Sequence, residues 1–110
     1  MSRCTCRFHP GTPCESCFTD QVIELAHICG WLCYHTFDSR RSSPGFVDII
    51  AVRGREMLAI ELKSQKGKVK PAQQDWLDAL QHVETVNAFC WRPEHWPLIE
   101  EALRKEAPSG

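Results

Sequence analysis

The sequence predicts an α/β domain whose elements follow the order helix, three strands, helix, strand, helix. Two apolar runs, 47–52 and 57–62, flank four polar residues, which is the pattern of a β-hairpin. Segments 20–29 and 71–83 carry apolar residues at helical spacing. At 110 residues, with 43% apolar and 25% charged residues, the chain has the size and composition of one globular domain.

The first helix and strand have clear boundary signals. Thr19 or Asp20 is a suitable N-cap for a helix that runs to Cys29, and Gly30 supplies the stop. Residues 31–37 are aromatic and apolar, as in a β-strand. One helix and one strand therefore precede the hairpin.

The second half of the chain adds two helices and a strand. Pro71 starts a helix to about residue 83, residues 85–91 form the fourth strand, and Pro93 starts a last helix to about residue 105. The predicted inward residues of these two helices are Trp76, Leu77, Leu80, Val83, Trp96, Ile99 and Leu103.

The turn of the hairpin sets which residues face each other. Gly54 and Arg55 fit a two-residue type II′ turn, which takes glycine first. Arg53 then pairs with Glu56. Each residue before Arg53 pairs with the residue that lies the same number of positions after Glu56. The register is therefore predicted from the turn alone.

This register places two acids opposite each other. Asp48 faces Glu61 with their Cβ atoms about 5 Å apart, and the two-residue strand period puts Lys63 on the same face. Facing carboxylates repel, whereas Mg²⁺ or Mn²⁺ reverses the sign of their interaction. The lysine can orient a water or stabilise charge on a phosphate. A solvated face carrying ordinary surface residues is the alternative.

The N-terminal segment 1–18 contains two cysteine pairs. Cys4 and Cys6, with Cys14 and Cys17, have spacings suited to a structural zinc site, and His9 is a possible substitute ligand. The alternatives are a frayed N-terminus with free thiols, or a thiol redox pair. We therefore divide the chain into a zinc-binding segment, 1–18, and a main domain, 19–107.

The charge of the chain is unevenly distributed. Residues 40–70 contain eight Lys and Arg against three Asp and Glu, although the whole chain has a net charge of −1. A basic region around a candidate metal site suits phosphate contact. The seven cysteines, and the lack of a signal peptide or an apolar span, lead us to expect a cytoplasmic protein without a membrane partner.

Asp48, twelve intervening residues, and then Glu61-Leu62-Lys63 resemble the signature of the PD-(D/E)XK nuclease superfamily. The run from His35 to Trp96 is similar to the small VRR-NUC domains of phages and bacteria. The matching pieces are, in order, HTFDSRRS (35–42), PGFVD (44–48), ELK (61–63), PAQQDWL (71–77) and WRP (91–93). One departure is Val47, which stands where the family usually has proline.

The resemblance implies a restriction-endonuclease-like core with a mixed sheet flanked by helices. It also implies a Mg²⁺- or Mn²⁺-dependent DNA endonuclease without a small-molecule cofactor. Stand-alone members resemble Holliday-junction resolvases, so branched DNA and a two-fold dimer are the expected partners. The alternative is a non-catalytic, zinc-stabilised DNA-binding or adaptor module on a nuclease scaffold.

The resemblance also suggests roles for individual residues. Asp48, Glu61 and the Leu62 carbonyl would hold the metal, with Glu24 of the first helix as a third carboxylate. From the sequence alone, Glu24 fits the rim of the polar stripe of this helix equally well. Lys63 would position the nucleophile. Gln73 would lie near this lysine, although a buried structural hydrogen bond explains it equally well. The expected DNA contacts are His35, Ser39, Arg40, Arg41, Ser42, Lys66, Lys68 and Lys70.

Overall fold

The computed structural model describes residues 14–36 and 44–105. Its elements are α1 (Glu15–Ile28), β1 (Leu32–His35), β2 (Ile49–Arg53), β3 (Glu56–Leu62), α2 (Pro71–Gln81), β4 (Val86–Trp91), a 3₁₀ turn (Pro93–His95) and α3 (Trp96–Arg104). The four strands lie side by side in chain order, with β1, β2 and β3 antiparallel and β4 parallel to β3. The predicted element order and mixed sheet are confirmed.

Each face of the sheet has its own apolar cluster. On one face, α1 and α3 pack against inward residues such as Ile60 and Leu58. On the other face, Leu77 of α2 packs against Ala59 and Val47. The parallel pairing of β3 and β4 requires a crossover between them, and α2 provides it. Because side chains alternate between the two faces of a strand, the residues on either side of Ile60 in β3 point toward α2.

The helix α1 begins earlier than the sequence predicts. Its N-cap is Cys14, whose Sγ accepts a hydrogen bond from the backbone N–H of Cys17 at 3.5 Å. Thr19 lies inside the helix, is buried, and donates to the Glu15 carbonyl at 2.8 Å. The predicted cap at Thr19 or Asp20 is therefore wrong, because core packing extends the helix past a good capping residue. The predicted domain boundary at residue 18 falls inside α1.

One inward assignment and one helix start differ from the prediction at the ends of elements. Val83 lies beyond the end of α2 and is 43% exposed, so it does not continue the buried stripe that contains Leu77. The last helical region opens with the 3₁₀ turn, and α3 then buries Ile99 and Leu103 as predicted. Within the described parts of the chain, every helix is too short or too polar to cross a bilayer.

The hairpin register is confirmed. Arg53 pairs with Glu56, and the ladder continues to the pair formed by Ile49 and Ile60. Gly54 has a φ of 60°, and positive φ occurs only at glycines among the described residues, which fits the predicted type II′ turn. Asp48 and Glu61 are the next residues outward from the last pair of this ladder. A local turn therefore brings the two acids to the same place.

Candidate active site

Asp48 and Glu61 lie on the sheet face that α2 covers. Glu61 is 1% exposed, whereas Asp48 at the start of β2 is partly buried. One carboxylate oxygen of Asp48, Oδ2, accepts a hydrogen bond from the backbone N–H of Leu62 at 2.8 Å. This bond joins the loop before β2 to the end of β3, so the orientation of the Asp48 carboxylate is tied to the strand that carries Glu61.

Two side chains contact the Glu61 carboxylate at the same oxygen. Gln73 Nε2 donates to Oε2 at 2.8 Å, and Lys63 Nζ lies 3.6 Å from this atom. The other oxygen, Oε1, is buried and has no hydrogen-bond partner among the described residues. A buried carboxylate oxygen without a donor is costly unless a cation or water satisfies it. Glu61 thus presents one unsatisfied oxygen beside Asp48.

The amide of Gln73 is fixed at both ends. Its Oε1 accepts from the backbone N–H of Lys70 at 2.8 Å, which forces Nε2 to be the atom that faces Glu61. Gln73 therefore caps the start of α2 and orients a site carboxylate at once. The structure thus places Gln73 in contact with Glu61, and its role in a reaction stays a prediction.

Burial and repulsion change the acidity of both carboxyl groups. Burial, and secondarily the nearby charge of Asp48, raises the pKa of Glu61 from 4.5 to about 7, against the lowering effect of Lys63. Burial also raises the pKa of Asp48, while the Leu62 N–H, Lys63 and His35 oppose the rise. Neighbouring carboxyl groups with raised pKa values are typical of functional sites.

The carboxylate of α1 that lies near this pair is Glu15. Its charge is the smallest of the causes that shift the pKa of Glu61, and Glu24 is not among these causes; both side chains are exposed. The two glutamates are nine positions apart, which corresponds to about two and a half helical turns, so they lie on opposite sides of α1. The assignment of Glu24 as a metal ligand stays a prediction, and Glu24 is exposed on α1. Glu15 was overlooked because it lies within the cysteine motif that we read as a separate segment.

The loop before Asp48 is packed against the start of α2. Gly45 has a φ of 83°, and a Cβ there would lie 2.4 Å from the Ala72 carbonyl carbon and 2.7 Å from the backbone nitrogen of Gln73. The Phe46 ring meets the Trp76 ring edge-on at a centroid distance of 4.9 Å. Glycine is therefore required for the close approach that places Asp48 and Gln73 around one site.

The donor set fits a hard divalent cation. No three His, Cys, Asp or Glu side chains in the described ranges lie close enough together to enclose a metal by themselves. Two carboxylates and a backbone carbonyl, from Asp48, Glu61 and Leu62, suit Mg²⁺, which usually keeps several waters and takes only one or two protein carboxylates. The unsatisfied oxygen of Glu61 also fits a bound cation.

The residues expected to contact DNA fall into three groups. Lys66, Lys68 and Lys70 are exposed on the segment between β3 and α2, next to the site. His35, at the end of β1, is close enough to Asp48 to lower the pKa of that carboxyl group. Ser39, Arg40, Arg41 and Ser42 lie outside the described residues.

The described part of the proposed zinc motif comprises Cys14 and Cys17. They lie three residues apart at the first turn of α1, where Cys14 is the N-cap. The other proposed ligands, Cys4, Cys6 and His9, lie outside the described residues. The zinc site therefore stays a prediction.

The family model described as the VRR-NUC domain matches residues 4–90. No curated protein and no solved structure matches the chain significantly. The family match spans the first helix, both acids, the lysine and Gln73, and the family is one of PD-(D/E)XK-like nuclease domains with DNA as substrate. The chain therefore belongs to the VRR-NUC family and has a nuclease-type, DNA-processing function.

Proposed function

We propose that this protein is a Mg²⁺-dependent DNA endonuclease that hydrolyses phosphodiester bonds. The observation that supports this proposal most is the pair formed by the buried Glu61 and the partly buried Asp48, with Lys63 beside it. Burying two acids together destabilises the metal-free fold, as the raised pKa of Glu61 indicates. A divalent cation removes this repulsion, so the arrangement makes physical sense as a metal site.

The proposed roles divide among few residues. Asp48, Glu61 and the Leu62 carbonyl hold the cation, and Glu15 adds negative charge from α1. A bound divalent ion supplies positive charge that neutralises the scissile phosphate and polarises water. Lys63 Nζ, held 3.6 Å from Glu61 Oε2, orients the attacking water and stabilises charge on the phosphate.

The rest of the proposed DNA contact is electrostatic. Lys66, Lys68 and Lys70 lie on the loop that leaves the site, and Arg40 and Arg41 are expected to add to the same surface. Lysine and arginine contacts to phosphates position DNA without reading its sequence. We therefore expect binding that weakens steeply with salt and shows little base preference.

We further propose that the substrate is branched DNA and that the protein acts as a two-fold dimer. Paired cuts on a junction require two active sites, and the part of the chain that the structure describes contains one candidate site. β1 is an edge strand whose Leu32 and Tyr34 are 77% and 64% exposed, so it offers an apolar surface on which a second copy can pack.

Cleavage of four substrates tests these proposals together. The protein with Mg²⁺ should cut a Holliday junction faster than a flap, a nicked duplex or a linear duplex, and EDTA should stop all cutting. Asp48→Asn should reduce the rate by at least about 10³-fold while DNA binding in EDTA stays within about twofold. Light scattering should give the mass of a dimer.

Asp75→Asn on the exposed side of α2 is the matched control, and it should cleave like the unsubstituted chain. Equal cleavage by Asp48→Asn and the control would refute the endonuclease proposal. Equal rates on all four substrates would refute only the junction preference, and a monomer mass would refute only the dimer.

We also propose that Cys14 and Cys17 bind a structural Zn²⁺ together with Cys4 and Cys6, with His9 as a substitute ligand. Support comes from the helix N-terminus at Cys14, where the positive end of the helix dipole favours thiolates. Elemental analysis should find one zinc per chain, and Cys17→Ser should release it. Cys33→Ser is the control, and equal zinc content in both variants would contradict the proposal.

A further inference from the structure

The four residues after Lys63 form a turn that folds back over this lysine. The backbone N–H of Gly67 donates to the Ser64 carbonyl at 3.2 Å, which closes the turn. A Cβ on Gly67 would lie 2.9 Å from Ser64 Oγ and 3.5 Å from Lys63 Cδ. The backbone of Gly67 therefore packs beside the aliphatic stem of Lys63, and the position of the turn limits where the Lys63 ammonium can lie.

Arg92, which directly follows β4, holds this turn. Its Nη1 donates to the Ser64 carbonyl at 2.7 Å and to the Gly67 carbonyl at 2.5 Å, and lies 3.5 Å from the Gln65 carbonyl. The two hydrogens of Nη1 thus join the first and last residues of the turn. The backbone N–H of Arg92 donates to His95 Nδ1 at 3.0 Å, which fixes the origin of the side chain.

Two further contacts attach the same turn to the end of β4. The backbone N–H of Lys63 donates to the Trp91 carbonyl at 3.0 Å. The Gln65 side chain accepts from the Glu94 backbone N–H at 3.1 Å, and its Nε2 donates to the Glu94 carboxylate. The turn is therefore anchored to the end of β4 and the residues after it, and among the described residues Arg92 is the one whose side chain bonds to both ends of the turn.

We propose that Arg92 is a positioning residue for Lys63. Its guanidinium holds the Ser64–Gly67 turn closed. The closed turn packs beside the Lys63 stem and so keeps the Lys63 ammonium next to Glu61. This inference rests on the proposed function, in which Lys63 acts on the attacking water and the phosphate. Because Nη1 is engaged by backbone carbonyls, the role of Arg92 is internal and differs from a contact with DNA phosphate.

Kinetics of Arg92→Ala in the full chain test this inference. A small misplacement of a reacting group costs about 10²-fold, so we expect kcat to fall about 10- to 100-fold with KM within about threefold. Millimolar guanidinium should restore part of kcat, because the free ion can occupy the vacated site. Arg104→Ala, which removes an exposed ion pair with Glu100, is the matched control and should show neither effect.

Three results would overturn the inference. One is an unchanged kcat in Arg92→Ala, and another is a lost kcat that guanidinium does not restore in a variant that melts normally. The third is a raised KM together with a weaker salt dependence of DNA binding, in which the slope of log K against log salt concentration becomes shallower by about 0.9. That result would make Arg92 a phosphate contact. If Arg92→Ala does not fold, Arg92→Lys replaces it: reduced kcat supports the inference and unchanged kcat overturns it.

Failure of the proposed function is distinguishable from failure of this inference. If the unsubstituted chain cuts no DNA with Mg²⁺, the endonuclease proposal fails. The positioning contact is then tested by amide hydrogen exchange of Gly67, whose N–H closes the turn. Faster exchange in Arg92→Ala than in Arg104→Ala supports the contact, and equal exchange overturns it.

Discussion

Replacing Glu61 with Gln is expected to abolish cleavage and, at the same time, to stabilise the metal-free protein above pH 7. The substitution keeps the shape of the side chain and removes its charge. The charge is needed for the proposed metal site, but in the absence of metal it is buried beside Asp48 without a donor to Oε1. Activity and stability should therefore change in opposite directions.

The size of the stability change follows from the pKa of Glu61. The folded protein binds this proton up to about pH 7, whereas the ordinary value is 4.5. The folded state thus holds more protons than the unfolded state between these pH values, and the unfolding free energy falls as pH rises through this window. The full loss, reached above pH 7, is about 3 kcal/mol.

Urea denaturation of the metal-free protein at pH 5 and pH 8 measures this effect. The unsubstituted chain should lose stability between the two pH values, and Glu61→Gln should lose less by about 2 kcal/mol, since part of the loss has already occurred at pH 5. Mg²⁺ should stabilise the unsubstituted chain at pH 8 but have little effect on Glu61→Gln. Glu56→Gln, at the turn of the same hairpin, is the control. Parallel pH dependence in the unsubstituted chain and Glu61→Gln would contradict the prediction.

Gly45→Ala is expected to damage the fold and the site together. The alanine would occupy a left-handed conformation at a φ of 83°, and its Cβ would lie 2.4 Å from the Ala72 carbonyl carbon. The neighbouring atoms are backbone, so the loop or the start of α2 must move. We expect a loss of about 3 kcal/mol or more in unfolding free energy. Cleavage should fall because Asp48 and Gln73 move apart.

Gly30→Ala separates backbone strain from steric conflict. Gly30 also has a positive φ, of 90°, but a Cβ there meets only Arg53 Cδ at an ordinary 3.8 Å. This control should lose about 1–2 kcal/mol and keep its activity. Denaturation and cleavage assays on both variants make the comparison. Equal losses in the two variants would mean that the contact between Gly45 and α2 is unimportant.

The parts of the site that follow from the hairpin could be predicted from the sequence. The turn at Gly54 fixes the pairing of Arg53 with Glu56, and this register brings Asp48 and Glu61 together across neighbouring strands. Such a prediction succeeds because a two-residue turn and a two-residue side-chain period are local properties of the chain. Recognition of the family added the identity of the domain.

Other parts of the site depend on how distant segments pack. Glu15 rather than Glu24 contributes to the raised pKa of Glu61, because the placement of α1 against the sheet decides which of its carboxylates lies nearer β3. Gln73 could be marked as unusual from the sequence, but its bond to Glu61 required the crossover helix to be placed. Arg92 contacts a turn 25 to 28 residues earlier, and no spacing rule indicates such a pair.

The sequence by itself therefore determined the elements, the hairpin register and the acid pair, because each depends on residues joined by a short turn. Only the tertiary structure decided which helix carboxylate approaches the pair, which Glu61 oxygen is left without a donor, and which arginine secures the lysine. These features arise from contacts between segments far apart in the chain, and packing rather than local conformational preference sets their geometry.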